Sequence, residues 1–422
     1  MAGVRQLAAT GHVDSGVLYD ALVGESRYGF WLTTTTSGGT VCSIGIGDPD
    51  SVVDTELRAA SRSETANHRF VGGWIGWRGY ETESSAWLRV DRYVSVDHSS
   101  GDIWAHAPGD EITVWLQEVR QALRMHVPNA HRSMTPERRA ARARHSPDEY
   151  ESMIESALES IRAGDAYQLC LTTRFTVEGS FDPRVVHAEM RRAGAPYTAL
   201  IRAGERALVA SSPEQFLQLT ASGNVSTSPI KGTRPRGTDA ETDSALAMEL
   251  TTDAKERAEN LMIVDLMRND LSRVCERGSV EVTRLFDLES HAHVHQLVSQ
   301  VTGRIARGRS AADVVDSTFP AGSMTGAPKE RAMELLFALE GAPRGAYSGC
   351  FGWIGDDGAV ELAMTIRSVV IEAFRAYVGA GGGLTIDSRP DFEIEEVVVK
   401  ASAPLAALGA DVPDAWSRRK RR

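Results

Sequence analysis

The sequence predicts an α+β fold built on large antiparallel β-sheets. Two observations support this prediction: strand-like apolar runs are joined by short turns, and they are mixed with helical runs along the chain. A doubly wound parallel sheet is therefore not expected. The strand-like runs cover residues 207–219, 349–354 and 359–371, and the helical runs cover residues 253–271, 328–339 and 391–407.

A helix followed by a buried strand is predicted directly after residue 145. Ser146 is a good N-cap and Pro147 suits the first turn, and two acidic residues follow where the helix dipole favours them. An apolar face then recurs at helical spacing, formed by Met153, Ile154, Ala157, Leu158 and Ile161. Residues 167–175 are predicted to form the buried strand.

Composition divides the chain into four parts. Residues 1–127 are strand-rich, and residues 146–410 hold most of the motifs described below. Between them, residues 128–145 are rich in arginine, histidine and alanine and lack an apolar period, so we predict a linker or exposed excursion. Residues 411–422 end in a basic run and are predicted to be a disordered tail.

Composition is typical of a globular cytoplasmic protein. Of the 422 residues, 42% are hydrophobic and 24% are charged. The formal net charge of -11 argues against nucleic acid and anionic membranes as partners. The four cysteines form no C-x-x-C pair, which argues against a zinc site or a disulfide framework and fits a reducing compartment. We expect no secretory signal and no membrane span.

Two pairs of glutamates recur at helical spacing. Glu256 and Glu259 stand three residues apart in one helical run, and Glu393 and Glu396 repeat that spacing in another, with Lys400 four residues later. Carboxylates from two helices can converge on a hard cation such as Mg²⁺, which prefers oxygen ligands. The alternative from spacing alone is two solvated helix faces with ordinary ion pairs.

Two glycine-bearing loops and a histidine stripe offer further candidate sites. The run 379–383 lets backbone N–H groups approach an anion, but it lacks the G-x-G-x-x-G spacing of a dinucleotide site. The loop 318–329 leads into a helix without the spacing of a P-loop. Three histidines at spacing two could form a metal site on a strand, yet we predict no zinc there; they are His291, His293 and His295.

One lysine stands in a tight turn that contains glycine. Residues 229–233 read Pro-Ile-Lys-Gly-Thr, so Lys231 is followed at once by Gly232. A lysine amine is a nucleophile when it carries no proton, and positive neighbours or desolvation favour that form. Taken alone, the segment is also compatible with a solvated lysine on the surface.

These segments together resemble the chorismate-utilising enzymes, which include aminodeoxychorismate, anthranilate, isochorismate and salicylate synthases. The similarity is strong over roughly residues 146–407 and moderate over residues 72–80 and 87–92. The matched motifs occur in a fixed order, at residues 164–168, 212–214, 229–237, 255–270, 319–329, 365–367 and 381–400. The resemblance implies an anthranilate-synthase-like fold, in which large antiparallel sheets form a sandwich with flanking helices and a central active-site cleft.

The resemblance also implies a role for each matched residue. Residues 146–410 become the chorismate-binding catalytic region. Glu259 and Glu396 match direct Mg²⁺ ligands, and Glu256 and Glu393 match carboxylates that help to hold the ion. Glu214 matches the general acid that protonates the departing 4-hydroxyl of chorismate. The expected substrate contacts are Gln168, Thr233, Gln296, Ser323, Tyr347, Arg367, Gly381, Gly382, Gly383 and Lys400.

Three positions distinguish branches of the family. Lys231 matches the PIKGT motif of aminodeoxychorismate synthases, where anthranilate synthases typically carry alanine. Gln168 stands where isochorismate and salicylate synthases place a lysine base, and Gln296 stands where several members carry a histidine. The resemblance thus implies amination of chorismate to 4-amino-4-deoxychorismate on the route to 4-aminobenzoate and folate.

The resemblance leaves a partner and two rival functions to consider. Because no glutaminase signature is visible, ammonia is expected from a separate glutamine amidotransferase subunit. Anthranilate synthase component I is one rival, which Lys231 disfavours. A non-catalytic chorismate-fold binding protein is the other, and it would be marked by loss of the acidic residues that this chain retains.

Overall fold

The computed structural model of the chain describes residues 2–7, 13–36, 38–50, 70–124, 139–291 and 294–417. These residues form two large β-sheets and the helices that cover them. In chain order the strands are β1 (Ala2–Leu7), β2 (Tyr28–Thr36), β3 (Gly39–Ile46), β4 (Asp48–Asp50), β5 (Gly73–Arg78), β6 (Ala86–Val90), β7 (Tyr93–Asp97), β8 (Ile103–Pro108), β9 (Arg139–Ala143), β10 (Gln168–Glu178), β11 (Tyr197–Ala203), β12 (Arg206–Ser212), β13 (Gln215–Leu219), β14 (Asn224–Thr227), β15 (Ile230–Pro235), β16 (Glu281–Ser290), β17 (Val294–Arg304), β18 (Gly326–Ala327), β19 (Cys350–Gly355), β20 (Val360–Met364), β21 (Ser368–Glu372), β22 (Arg375–Leu384) and β23 (Ala410–Asp411).

The described helices flank the sheets. They are α1 (Ser15–Leu22), α2 (Ile112–Arg124), α3 (Pro147–Arg162), α4 (Pro183–Arg191), α5 (Ala240–Thr252), α6 (Ala254–Ser272), α7 (Ala311–Thr318), α8 (Lys329–Glu340), α9 (Pro390–Ala407) and α10 (Asp414–Ser417), with short 3₁₀ turns at Thr82–Ser84 and Gly322–Met324. None of these helices combines the length and the apolar composition needed to cross a membrane.

Almost every strand pairing is antiparallel, as the sequence predicts. The first sheet has 13 strands in the order β1-β8-β7-β3-β2-β11-β12-β21-β22-β10-β9-β23, with β18 beside β10. The second has 10 strands in the order β15-β17-β14-β13-β20-β19-β5-β6-β4, with β16 beside β17. Among the described pairs only β9 and β23 run parallel. The predicted α+β class is confirmed.

Three apolar cores give the molecule its layers. Phe30 and Leu208 of the first sheet meet Trp77 and Phe351 of the second in a core between the sheets. Two further cores lie on the outer faces, where α3 and α9 cover the first sheet and α6 and α7 cover the second. The order helix, sheet, sheet, helix buries both faces of each sheet, so a polar site must lie where strands end or change sheet.

The predicted helices are present with nearly the predicted ends. Helix α3 begins at the predicted cap, where the Ser146 hydroxyl accepts from Glu149 N–H and the Glu149 carboxylate accepts from Ser146 N–H. Its predicted apolar face is buried. Helices α6, α8 and α9 match the other three helical runs to within two residues. Local capping signals and apolar spacing were sufficient to locate these elements.

Two of the predicted strands are each divided into two. Residues 207–219 form β12 in the first sheet and β13 in the second, and residues 359–371 form β20 in the second sheet and β21 in the first. Apart from Gln218 and Glu361, the polar residues of both runs lie near the divisions, at positions 211–215 and 365–368. Periodicity alone could not assign the two halves of each run to different sheets, because it carries no information on strand pairing.

The ends of the predicted linker and tail differ from the prediction. Residues 128–138 and 418–422 lie outside the described residues, but residues 139–143 form β9 and pair with β10. Helix α10 carries Trp416, whose buried ring packs beside Tyr150 and Phe175. Burial of this large apolar ring explains why residues 414–417 are ordered against the core.

A buried ion pair joins α8 to the first sheet. The Arg344 guanidinium donates to both carboxylate oxygens of Glu340, at 2.6 and 2.8 Å. It also donates to the carbonyls of Met324 and Cys170, each at 2.7 Å. Glu340 accepts in turn from the N–H of Thr172 at 2.9 Å. The pair therefore fixes the turn Gly322–Met324 against β10.

We expect Glu340→Gln to destabilise the protein by about 3–5 kcal/mol, because it leaves the Arg344 charge buried without a counter-ion. Glu334→Gln on the same helix is the matched control, because its ion pair with Arg331 is largely exposed and is worth at most about 1 kcal/mol. Urea unfolding measures both. Equal losses in the two variants would contradict a structural role for the buried pair.

Candidate active site

Two of the points at which the chain crosses between the sheets lie side by side. Glu214 stands between β12 and β13, and its carbonyl accepts from Met364 N–H at 3.0 Å. Met364 ends β20, and Arg367 follows with a positive φ of 49° before β21 begins. Pro213 has no N–H to continue the ladder, which favours the break before Glu214. The two crossings thus place the Glu214 carboxyl and the Arg367 guanidinium in the gap between the sheets.

Glu214 is suited to donate a proton at neutral pH. Burial raises the pKa of its carboxyl to about 7, although the Lys231 charge, a hydrogen bond from Ser323 and the N–H of Ile230 all oppose the shift. An ordinary exposed glutamate would be fully ionised at this pH. The predicted general acid therefore lies in an environment that fits the role.

Lys231 reaches the same cleft from β15. Its side chain is 14% exposed, and its Nζ lies 4.0 Å from Glu259 Oε2. The following Gly232 has a φ of 79°, and a Cβ there would lie 2.7 Å from Leu250 Cδ1 and 3.1 Å from the Glu256 carboxyl. The predicted tight turn is thus an irregular part of strand β15, and it requires glycine both for its backbone conformation and for the close approach to the helices.

The two predicted glutamate pairs do converge from two helices. Glu256 and Glu259 come from α6, and Glu393 and Glu396 come from α9. Lys255 lies between the helices, with its Nζ 3.8 Å from Glu259 Oε1 and 3.9 Å from Glu393 Oε1. Spacing alone allowed two separate solvated faces, and the shared contact with Lys255 excludes that alternative.

The carboxylates differ in their electrostatic environments. Burial raises the pKa of Glu259, and burial together with the nearby Glu396 charge raises the pKa of Glu393 to about 7. Burial also acts on Glu396, but an ion pair with Lys400 at 2.6 Å outweighs it and holds the Glu396 pKa below its usual range. Glu256 is paired with Arg234 at 3.3 Å.

One oxygen of this cluster has no partner. Glu393 is buried, and its Oε2 makes no hydrogen bond. A buried carboxylate oxygen without a donor is costly unless a cation or a proton satisfies it. No three His, Cys, Asp or Glu side chains within the described ranges are arranged to enclose a metal ion. The donor set suits a hard cation, but in this arrangement the Lys255 ammonium lies between its two halves.

The glycine run of β22 forms the floor of the cleft. A Cβ on Gly382 would lie 3.0 Å from Glu393 Oε2 and 3.4 Å from Glu396 Oε2, and one on Gly383 would lie 3.1 Å from Lys231 Nζ. At Gly379 a Cβ would overlap the ring of Tyr347. Side chains here would therefore fill the space on which the functional groups converge.

Gln168 is directed at the same floor. It is fully buried, both atoms of its amide lack partners, and its Nε2 is 2.7 Å from the position of a Gly383 Cβ. Two further hydroxyls, those of Thr365 and Thr385, are also buried without partners, and both residues fall within matched motifs. Unsatisfied groups of this kind are expected where a polar ligand binds.

The other predicted substrate contacts differ from one another in burial and in position. Tyr347 and Arg367 interact electrostatically, and burial lowers the pKa of Arg367. Lys400 donates to the carbonyl of Gly381 at 2.8 Å. Thr233 and Gln296 are opposite each other on β15 and β17, but Gln296 is buried whereas Thr233 is exposed. Tyr347, Arg367 and Lys400 therefore belong to the cleft, whereas the Thr233 side chain faces solvent.

The histidine stripe belongs to a different network. His295 makes contacts from both ring nitrogens, with Ser290 Oγ at 2.7 Å and Asp243 Oδ1 at 2.9 Å. His291 lies 3.7 Å from Glu289, and His293 is outside the described residues. These bonds join α5 to β16 and β17, so His295 serves a structural purpose.

Sequence reasoning gave Lys255 no role in the site, although this residue falls within the matched motif 255–270. Its spacing of four from Glu259 is a readable signal of a contact along one helix. Its second contact, with Glu393 on α9, has no such signal because the two residues are distant in sequence.

Comparisons with known proteins all indicate the same family. The family model described as chorismate binding enzyme matches residues 48–406. An aminodeoxychorismate synthase of Streptomyces pristinaespiralis is 38% identical over 80% of this chain and 50% of its own length. Aminodeoxychorismate synthase component 1 of Klebsiella aerogenes is 42% identical over 89% of this chain and 86% of its own.

A solved structure supports the same conclusion. Anthranilate synthase component I from Streptococcus pneumoniae TIGR4 superposes with a TM-score of 0.75 and 29% identity, covering 90% of this chain and 92% of that one. The predicted anthranilate-synthase-like fold is therefore confirmed. The chain spans only about half the length of the Streptomyces relative, whereas it spans most of the Klebsiella one. Since the family model covers most of its residues, the chain belongs to the chorismate binding enzymes, as its ordered motifs predict.

Proposed function

We propose that the chain catalyses Mg²⁺-dependent amination of chorismate by ammonia to 4-amino-4-deoxychorismate, a precursor of 4-aminobenzoate and folate. The observation that carries this proposal is the position of Lys231. Its amine enters the cleft beside Glu259 and is electrostatically coupled to Glu214, whose carboxyl has a pKa of about 7. The side chains that would serve as nucleophile and proton donor therefore lie within one site. Relatives named aminodeoxychorismate synthase support the same activity.

The proposed reaction has two displacement steps. In the first, the neutral Lys231 amine bonds to C2 of the chorismate ring, both ring double bonds shift, and the C4–O bond breaks. Glu214 supplies the proton with which the 4-hydroxyl leaves as water. In the second, ammonia bonds to C4, both double bonds shift back, and the C2–N bond to Lys231 breaks. The surplus proton on the new amine returns to Glu214.

The carboxylate cluster suits the proposed metal. Glu259 and Glu396 would be direct ligands, and Glu256 and Glu393 would help to hold the ion, in keeping with the unpartnered Glu393 Oε2. When bound, Mg²⁺ would offset the charge of the substrate ring carboxylate. The residues of the chain would then orient the ring against Lys231, with Gln168 and the backbone of Gly381–Gly383 as polar contacts.

Ammonia would come from glutamine through a separate amidotransferase subunit. Glutamine hydrolysis in such enzymes needs an accessible nucleophilic cysteine. The four cysteines of this chain are all free and buried. Burial raises the pKa of each of their thiols, which further disfavours the reactive thiolate.

Product identification tests the proposal directly. The protein is supplied with chorismate, Mg²⁺ and ammonium at alkaline pH, and the product is identified by mass and chromatography. We expect 4-amino-4-deoxychorismate. Anthranilate would instead favour the anthranilate synthase alternative, and chorismate binding without turnover would favour the non-catalytic one.

Lys231→Ala should fold normally but lose most of the 4-amino product, because it removes the nucleophile and opens C2 to ammonia. Some 2-amino product or anthranilate should appear. The parent protein, given chorismate without ammonia, should form an adduct on Lys231 that mass spectrometry detects. Lys231→Arg is the control, because it keeps the charge but not the nucleophile and should form no adduct. Full 4-amino product from Lys231→Ala would refute the covalent role.

Glu214→Gln should retain chorismate binding and lose about 10²–10⁴-fold in turnover, because an amide cannot donate the proton. The same variant has a pH signature in stability. Since the folded-state pKa lies above the ordinary 4.5, wild-type stability falls as pH rises from 4.5 to about 7.

The neutral amide removes this loss of stability. We therefore expect Glu214→Gln to be more stable than wild type by up to about 3 kcal/mol at pH 8, with no such gain at pH 4. Chemical unfolding at the two pH values measures the difference. A gain that does not depend on pH would contradict the shifted carboxyl.

Glu259→Gln and Glu396→Gln should each lower activity strongly at limiting Mg²⁺ and recover part of it at excess Mg²⁺, because a neutral amide is a weaker ligand than a carboxylate. Activity is measured across a Mg²⁺ titration. Glu395→Gln makes the same change on α9 outside the four carboxylates and serves as the control. Unchanged Mg²⁺ dependence in both test variants would exclude the two-helix site.

A further inference from the structure

Lys255 stands apart from the other cations of the cleft because it contacts both carboxylate helices. Its Nζ lies 3.8 Å from Glu259 Oε1 on its own helix and 3.9 Å from Glu393 Oε1 on α9. The other three carboxylate contacts are made by Lys231 with Glu259, Arg234 with Glu256 and Lys400 with Glu396. Within the described part of the chain, Lys255 is the cation that has a carboxylate of each helix within 4 Å, whereas Lys231 acts on Glu396 only at longer range.

The contact with Glu393 is not a by-product of helix geometry. A spacing of four places Lys255 near Glu259 on any helix. Glu393 is on a different helix and is buried, so this second contact depends on the packing of α6 and α9 across the cleft. Without a cation between them, the facing carboxylates would repel one another in a region of low dielectric constant.

The position of Lys255 also allows its ammonium group to move away from the carboxylates. Both distances exceed hydrogen-bonding length, so the ammonium balances charge without satisfying Glu393 Oε2, which has no partner. Its side chain is 46% exposed, compared with 14% for Lys231 and 29% for Lys400. A flexible lysine with one side open to solvent can swing outward when a stronger cation arrives.

We propose that Lys255 is a built-in counter-cation, which holds the two carboxylate helices together in the metal-free protein and which Mg²⁺ must displace in order to bind. This inference rests on the metal site of the proposed function and adds a competitor to it. The lysine keeps the cluster assembled before the metal arrives, and its displacement lowers the apparent affinity for Mg²⁺. Binding of the metal then frees a cationic side chain at the mouth of the cleft.

Calorimetric titration of Mg²⁺ into the ligand-free protein tests this inference without any measurement of activity. Lys255→Met removes the charge and keeps an apolar stem. We expect it to bind Mg²⁺ about threefold to tenfold more tightly than wild type. Without metal it should also unfold at a lower temperature, and saturating Mg²⁺ should abolish that difference. Lys255→Gln is neutral with a shorter stem and should behave in the same way.

Arg257→Met is the matched control. Arg257 lies two residues further along α6, where its side chain packs over Phe286 and donates to the carbonyl of Thr251. The variant removes one positive charge near the cluster without touching a carboxylate bridge. We expect its Mg²⁺ affinity to match that of wild type, which separates displacement of a bridging cation from a general change in charge.

The possible outcomes are distinct. Equal or weaker Mg²⁺ binding by both Lys255 variants would overturn the competition, although a metal site in wild type would remain. An equal gain in Lys255→Met and Arg257→Met would also overturn it, because net charge alone would then explain the effect. Absence of Mg²⁺ binding in all the proteins would contradict the metal site itself and the competition with it.

Discussion

The accumulation of negative charge in one cleft is the constraint on which the rest of the site depends. Four carboxylates face one another across α6 and α9, and a pair of like charges 4 Å apart costs about 4 kcal/mol even at an effective dielectric constant of 20. Cationic side chains from three elements offset this negative charge: Lys231 and Arg234 from β15, Lys255 from α6, and Lys400 from α9. These ion pairs connect the strand to the helices, so the contacts that neutralise the cluster also hold Lys231, the proposed nucleophile, in the cleft.

The backbone makes that convergence possible. The chain crosses between the sheets at Glu214 and at Arg367, and a hydrogen bond from Met364 to Glu214 holds the two crossings together. Opposite them, the glycines of β22 leave out the side chains that would occupy the gap. A Cβ on Gly382 or Gly383 would lie within 3.1 Å of Glu393 or Lys231. Ion pairs hold the functional groups in the cleft. The absence of side chains on its floor lets these groups approach one another.

The sequence predicted the helices well because their signals are local. The cap at Ser146 and the apolar faces of the helical runs depend on neighbours within one or two turns. The divided strands were not predicted, since both halves of residues 207–219 contain strand-like apolar residues and only tertiary structure assigns the halves to different sheets. For the site, motif order gave the identities of the acids and of Lys231. The contact of Lys255 with Glu393 could not be inferred, because it depends on how two distant helices pack.

The proposed chemistry requires a deprotonated amine and a protonated carboxyl within one small volume. Lys231 must be neutral to attack, while Glu214 must be protonated to assist the leaving group. Burial raises the pKa of Glu214 to about 7, so the acid can hold its proton near neutral pH. The proton that Glu214 gives to the departing hydroxyl is matched by the one that the new amine must lose after ammonia adds. Because Lys231 departs as a neutral amine, both groups end the cycle as they began it. The proposed cycle therefore needs no net exchange of protons between these two groups and the solvent.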